Sequence, residues 1–300
     1  MILVIGHHGQ VARSLLASAA DRGLKVHSLS RQDLDFHNFE KLGKYIVELN
    51  PQVLINAAAY TAVDKAESEE EKEECFFANA LLPEFLAIQA NLLKIPLVHF
   101  STDYVFSGAE GAPWREDDST DPLCFYGKSK LAGEKKVLSQ GGQYLIFRTS
   151  WVYSSFGHNF LKTMLKLGAE RESLKIVVDQ IGAPTNSDDL AVAVLDCLEK
   201  AHMQIQSGHT FPTGIYHLAG RGETSWYGFA KYIFTLAREM EFPIVVQNVL
   251  PIPTVEYPTP ATRPLNSRLN QDKIENVFSV RMPEWRDSLK ACLLKLKESK

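Results

Sequence analysis

The sequence predicts an α/β protein built on a doubly wound parallel sheet, with a smaller C-terminal lobe. Two observations carry this. Short, continuously apolar, β-branched runs alternate with amphipathic stretches through the first half of the chain, and a glycine-bearing turn stands directly after the first run. Strands that are apolar along their whole length are buried on both faces, as in a parallel sheet covered by helices.

In chain order, strands are expected at 2–5, 25–29, 53–56, 97–101 and 144–148, with helices between them at 11–22, 39–49 and 76–93. Residues 1–150 thus read as a Rossmann-type dinucleotide-binding domain, with segments near 175–218 returning to it. Residues 151–300 read mainly as a substrate-binding lobe, with strands at 175–178 and 215–218 and a helix at 188–201. Residues 243–264 are rich in Pro and Thr and carry turn signals, and a last helix is expected from Glu284 to Lys300. The acidic run 67–74 reads as the solvated start of a helix.

The chain has 300 residues, enough for a large core, and a net charge of −4 that gives no basic footprint for nucleic acid. Cys75, Cys124, Cys197 and Cys292 are far apart in sequence and suggest neither a zinc site nor a disulfide framework. The apolar run at the N-terminus is too short for a signal-peptide core and lacks a basic leader. No stretch reads as the roughly 20 apolar residues a membrane helix requires. A cytoplasmic protein with no membrane partner is expected.

The turn after the first strand reads Gly6-His-His-Gly9-Gln10-Val11-Ala12, a G-x-x-G-x-x-A relative of the dinucleotide fingerprint. Its glycines let backbone N–H groups approach a pyrophosphate at the helix N-terminus. His7 and His8 have no accompanying carboxylate or thiolate and read as solvent-exposed. At the end of the second strand, where an acidic residue marks NAD specificity, stands Arg31. Arg31 either pairs with a 2′-phosphate, which points to NADPH, or stacks on adenine or faces solvent, which leaves NADH open. Asp35 and Phe36 are candidates for the adenine edge. Ala57, Ala58 and Ala59 would let a flat cofactor pack against backbone.

Tyr126 and Lys130 stand four residues apart on one helix face. An ammonium beside a phenol favours the phenolate, so the pair is expected to lower the Tyr126 pKa and make it a general acid for a carbonyl. Ten tyrosines and twenty lysines give about 0.7 chance occurrences of this spacing, and Tyr227 with Lys231 is a second one. The first pair is distinguished by Thr102, which follows the fourth strand where a hydroxyl would face the ligand crevice.

These features resemble the extended short-chain dehydrogenase/reductases, and longer strings narrow the resemblance. The segments NAAAYTAVDKAE (56–67), STDYVF (101–106), RTSWVY (148–153), DQIGAPT (179–185) and YPTPATRP (257–264) are similar to the dTDP-4-dehydrorhamnose reductase family. The resemblance implies transfer of hydride from NADPH or NADH to C4 of a dTDP-linked 4-keto-6-deoxy sugar, dTDP-4-dehydro-β-L-rhamnose. It makes Tyr126 the proton donor, with Lys130 tuning it and holding the nicotinamide ribose. Thr102 would polarise the ketone, Asp103 would lie beside the sugar and Trp151 would be a flat platform. It places cofactor contacts on Gly9, Gln10 and Val11, on Asp35 and Phe36, and on Ala59, Tyr60 and Thr61. Arg263 is a candidate diphosphate partner, with a structural ion pair as its alternative. Trp151 and Trp226 read equally well as core.

Relatives with a magnesium ion bridging a dimer place acidic ligands where this chain has Ser14, Asp188 and Arg286. One carboxylate opposed by an arginine suits a hard dication poorly, so no metal is expected and any homodimer would lack a bridging ion. Two alternatives share these motifs: a reductase of another nucleotide-linked 4-keto-6-deoxy sugar, and a non-catalytic NADP-binding regulatory subunit resembling methionine adenosyltransferase β. The second gives no reason to keep Thr102, Tyr126 and Lys130 together.

Overall fold

The computed structural model describes residues 1–109 and 111–298. Strands β1 (Ile2–Ile5), β2 (Val26–Leu29), β3 (Val53–Asn56), β4 (Leu97–Thr102) and β5 (Tyr144–Thr149) fall where the apolar runs stand. Helices α1 (Gln10–Asp21) and α2 (Phe39–Leu49) separate the first three strands. The next connection is longer than its expected helix: α3 (Glu69–Phe76), a π-helical turn at Phe77–Leu81 and α4 (Leu82–Leu93) follow without a break. Residues 69–93 are long and apolar enough, by length and composition, to cross a membrane, contrary to the expectation above. Leu82, Leu86, Ala87 and Ala90 nevertheless join the core formed with the sheet, so this is a core helix. Helix α5 (Phe125–Gln140) connects β4 to β5.

Beyond β5 the chain alternates between two bodies. It passes through β6 (Val152–Tyr153), α6 (Phe160–Glu170), β7 (Ser173–Val177), β8 (Ile181–Gly182) and β9 (Thr185–Asn186). Helix α7 (Ser187–Gln206) and β10 (Gly214–His217) return to the large sheet. Then follow β11 (Thr224–Ser225), α8 (Trp226–Glu239), β12 (Asn248–Ile252), α9 (Asp272–Phe278) and α10 (Trp285–Glu298). Ser299 and Lys300, expected in the last helix, lie outside the described residues. The strand expected near 175 does not rejoin the large sheet: β7 pairs in parallel with β12 in a separate two-stranded ribbon. That ribbon puts order into the Pro-rich segment expected to be irregular.

The six-stranded sheet is parallel throughout, in the order β10-β5-β4-β3-β1-β2. Alternate side chains serve opposite faces. Leu3 and Ile5 pack with Leu42 of α2 and Leu86 of α4, whereas Val4 packs with Leu15 of α1 and Val194 of α7. This two-sided burial is why the strands read as unbroken apolar runs. A third core, centred on Phe229, Phe234, Trp285 and Leu289, joins α6, α8 and α10 in the smaller lobe. The strand order reverses between β1 and β3, and ligands of such sheets bind at the carboxyl ends at that point. All four cysteines are buried and free.

Candidate active site

The first glycine turn stands at this reversal. Gly6 leaves β1 with φ +113°, and a Cβ there would lie 3.1 Å from the Ala57 carbonyl carbon and the Ala58 nitrogen. Gly9 caps α1, and no heavy atom lies within 4 Å of where its Cβ would stand. The backbone can thus approach β3 closely on one side while the N-terminus of α1 stays open on the other. A groove of about 700 Å³ runs from this turn past Arg31, Asp35 and Phe36 to Ala57, Ala58, Ala59, Tyr60 and Thr61. Its length, open helix terminus and small-residue wall fit a dinucleotide.

Two residues expected at this groove do not line it. Gln10 turns its side-chain oxygen to the Ser154 hydroxyl (2.8 Å) and the Asn159 amide (2.9 Å). Val11 packs against the core beneath the sheet. Both stand in the first turn of α1, so any contact with the pyrophosphate is through their backbone N–H groups. Arg31 is exposed. The acidic side chain nearest the strand end is Asp33, whose carboxylate accepts from the Ser30 amide (2.9 Å) and hydroxyl (2.6 Å), bonds that hold it below the usual carboxylate range. His7 and His8 are exposed but engaged, with Ser28 and Gln32 respectively.

The far wall comes from the acidic run, which does more than face solvent. Tyr60 donates to Glu71 (3.0 Å), and burial together with that carboxylate pushes its phenol up to about 12. His37 pairs with Glu74 (3.0 Å) and stacks on Phe77. In the π-helical turn, Asn79 accepts from the Tyr60 amide (3.0 Å) and donates to Ser129 of α5 (2.9 Å), tying the cofactor wall to the helix that carries Tyr126. A π-turn is a frequent mark of such sites, and sequence periodicity does not reveal it.

Thr102 ends β4 close to Tyr126, where its side chain acts to lower the pKa of the phenol. The Thr102 hydroxyl donates to Asp103 (3.1 Å) and accepts from the Tyr104 amide (3.2 Å). The expected effect of Lys130 on Tyr126 is corrected here. Burial raises the Tyr126 pKa well above its ordinary value, and the Thr102 bond opposes this only in part. The Lys130 ammonium is buried as well and donates to the Phe100 carbonyl oxygen (2.5 Å); burial brings it down to about 8, against the pull of Glu134. The resting Tyr126 is therefore a neutral phenol that keeps its proton. Tyr227 and Lys231 lie on α8 in the smaller lobe, with the ammonium 5.4 Å from the ring centroid.

Asp103 is 2% exposed, and burial pushes its carboxyl up to about 6, opposed by the Ser267 and Thr102 hydroxyls. Asp103→Asn is expected to stabilise the ligand-free protein by about 1–3 kcal/mol near pH 7.5. The folded-state value lies above the unfolded 3.8, so the charge is penalised above pH 6, and the gain should fade as pH drops from 6 towards 4. Thermal melts at both ends of that range check this, and a variant no more stable than the parent near pH 7.5 would contradict it.

On the substrate side, Trp151 follows β5 at φ +48°, a left-handed conformation costly for a bulky residue and a frequent mark of functional sites. Its ring stacks on Trp226 at 3.6 Å and 13°, and the Trp226 indole nitrogen donates to Gln180 (3.1 Å). Both tryptophans are only partly buried, and Trp226 packs against the core of the smaller lobe. Arg263 forms the ion pair that stood as its alternative: its guanidinium donates to Asp64 (2.7 Å) and to the Tyr104 hydroxyl (3.3 Å). Tyr104 in turn meets Tyr126 edge to face, so Arg263 is one residue removed from Tyr126. Asp64 and Tyr104 stand within the motif strings at 56–67 and 101–106.

Ser14 donates to Asp188, whose other oxygen accepts from Lys295 (2.9 Å), while the Arg286 guanidinium lies 4.6 Å from the Trp285 ring centroid. These three positions form no carboxylate cluster, and among the described residues no group of His, Cys, Asp or Glu has the makings of a metal site.

The chain matches known proteins along its length. The family described as the RmlD substrate binding domain matches residues 1–298. A dTDP-4-dehydrorhamnose reductase from Sinorhizobium fredii is 42% identical over 287 residues, covering 96% of this chain and 94% of the relative. The crystal structure of a dTDP-4-dehydrorhamnose reductase from Clostridium acetobutylicum superposes with a TM-score of 0.89 at 38% identity, covering 99% of both chains. That of the Bacillus anthracis reductase in complex with NADP gives 0.86 at 34% identity, covering 98% of both. On this agreement of sequence and fold over nearly its whole length, the chain belongs to the dTDP-4-dehydrorhamnose reductase family.

Proposed function

We propose that this protein reduces the C4 ketone of dTDP-4-dehydro-β-L-rhamnose to dTDP-L-rhamnose at the expense of NADPH or NADH. The observation that carries this reading is the placement of Thr102 at the carboxyl end of β4 close to Tyr126 in the first turn of α5, beside the groove at the strand-order reversal. When bound, the reduced nicotinamide supplies the hydride. The Gly6–Gly9 turn and the N-terminus of α1 hold the pyrophosphate, Arg31 and Asp35 border the adenosine end, and Ala59 to Thr61 line the middle. Thr102 donates to the ketone oxygen and fixes it against Tyr126. Tyr126 gives its phenolic proton to that oxygen as C4 becomes a carbinol. Burial suits this direction, because it keeps the proton on the phenol until an acceptor arrives.

Lys130 holds the nicotinamide ribose and offers positive charge to the phenolate left behind. Asp103 takes a sugar hydroxyl, Trp151 lies under the sugar ring, and Arg263 exchanges Asp64 for the diphosphate. A cytoplasmic location and a homodimer without a bridging metal complete the reading, the latter supported by the engagement of Asp188 with Ser14 and Lys295. The test is cofactor absorbance with purified protein, NADPH or NADH, and enzymatically prepared keto sugar. Sugar-dependent oxidation is the expected result. Protein that binds cofactor yet oxidises none would favour the regulatory-subunit reading.

A further inference from the structure

One buried cluster is left unused by this scheme. Helix α5 presents Tyr126, Lys130 and Glu134 at successive four-residue steps, one face of a helix. Each stands at the end of β4: Tyr126 lies close to Thr102, Lys130 donates to the Phe100 carbonyl, and Glu134 accepts from the Ser101 hydroxyl. Glu134 is also held in a two-pronged pair with Arg148, at 2.9 and 2.7 Å. Arg148 is the direct cross-strand partner of Ser101, and Thr149 that of Thr102. One carboxylate thus fastens α5, β4 and β5 together one residue before Thr102.

Burying such a pair is poor value for stability alone. Glu134 and Arg148 are 2% and 3% exposed, and a buried ion pair loses in desolvation much of what it gains in attraction. Its surroundings point to a different use. Around Lys130 stand the Cys75 thiol, kept neutral by burial, and the His99 ring, held neutral by burial and by Lys130 itself. Glu134 is the carboxylate that attracts the ammonium.

We propose that Glu134, held by Arg148 and Ser101, is a positioning residue for the reduction: it is the counter-charge that keeps Lys130 an ammonium and the clamp that sets Thr102 against Tyr126. The proposal rests on the roles given above to Lys130 and Tyr126, so the test reads cofactor binding as well as turnover. NADPH affinity, followed by fluorescence, and kcat are measured across pH for the unaltered protein and for Glu134→Gln, Glu134→Asp and Ser101→Ala. In Glu134→Gln the alkaline fall in NADPH affinity should move about one unit acidward. Glu134→Asp, which keeps the charge, should leave that fall near its original pH. Ser101→Ala should also leave it in place while lowering kcat roughly fivefold at unchanged KM, as a misplaced Thr102 would. An unmoved alkaline fall in Glu134→Gln would overturn the counter-charge role. Should that variant not fold, Ser101→Ala decides: unchanged kcat would overturn the clamp. If the unaltered protein turned over no sugar, the functional reading would fail, while the pH dependence of NADPH binding would still decide the role of Glu134.

Discussion

Replacing Tyr126 with phenylalanine is expected to lower kcat by about 100-fold or more while changing NADPH affinity by less than about twofold. The variant keeps the ring and its edge-to-face contact with Tyr104, so the packing at the end of β4 is undisturbed. What it removes is the phenolic proton, held on the ring by burial. Lost general-acid catalysis of this kind appears in turnover rather than in binding. Steady-state rates with saturating NADPH, paired with fluorescence titration of the cofactor, separate the two. Near-normal turnover would remove Tyr126 from the role of acid.

Lys130→Met should damage both functions: kcat by about 100-fold and NADPH affinity by about tenfold. One buried ammonium is assigned to the ribose and to the phenolate, so no substitution can spare either. The pH dependence gives an independent signature. Burial brings the Lys130 ammonium down to about 8, so NADPH affinity should be level below that value and fall as pH rises through it. In Lys130→Met this alkaline fall should be absent, leaving a weak but flat profile. Titrations from about pH 6 to pH 10 check it, and a fall that persists in the variant would assign the titration to another group.

Much of the large sheet was legible because its strands are buried on both faces, so Ile2–Ile5 and Tyr144–Phe147 read as apolar runs. The smaller lobe was harder. Strand β7 alternates Leu174 and Ile176, buried, with Lys175, exposed, and that alternation marks a half-exposed ribbon rather than a central strand. The part played by the acidic run was hidden because a glutamate-rich helix start looks like solvated surface, although Glu71 and Glu74 hold Tyr60 and His37. The π-helical turn that aims Asn79 leaves no periodic trace.

At the site, Thr102, Tyr126 and Lys130 could be found from spacing and strand position. The direction of the Tyr126 shift could not, since it depends on how deeply the phenol is buried and on Lys130 reaching the Phe100 carbonyl. Glu134 and Arg148 had signals that went unused: a carboxylate four residues beyond Lys130 on the same helix face, and an arginine closing an apolar strand. Charges in such positions are seldom buried without a partner.

The most direct test follows an atom. With reduced cofactor carrying deuterium at the transferable position and dTDP-4-dehydro-β-L-rhamnose as acceptor, the sugar product should hold one deuterium at C4 and have the configuration of dTDP-L-rhamnose. Deuterium retained on the cofactor, or a product without label at C4, would contradict the account.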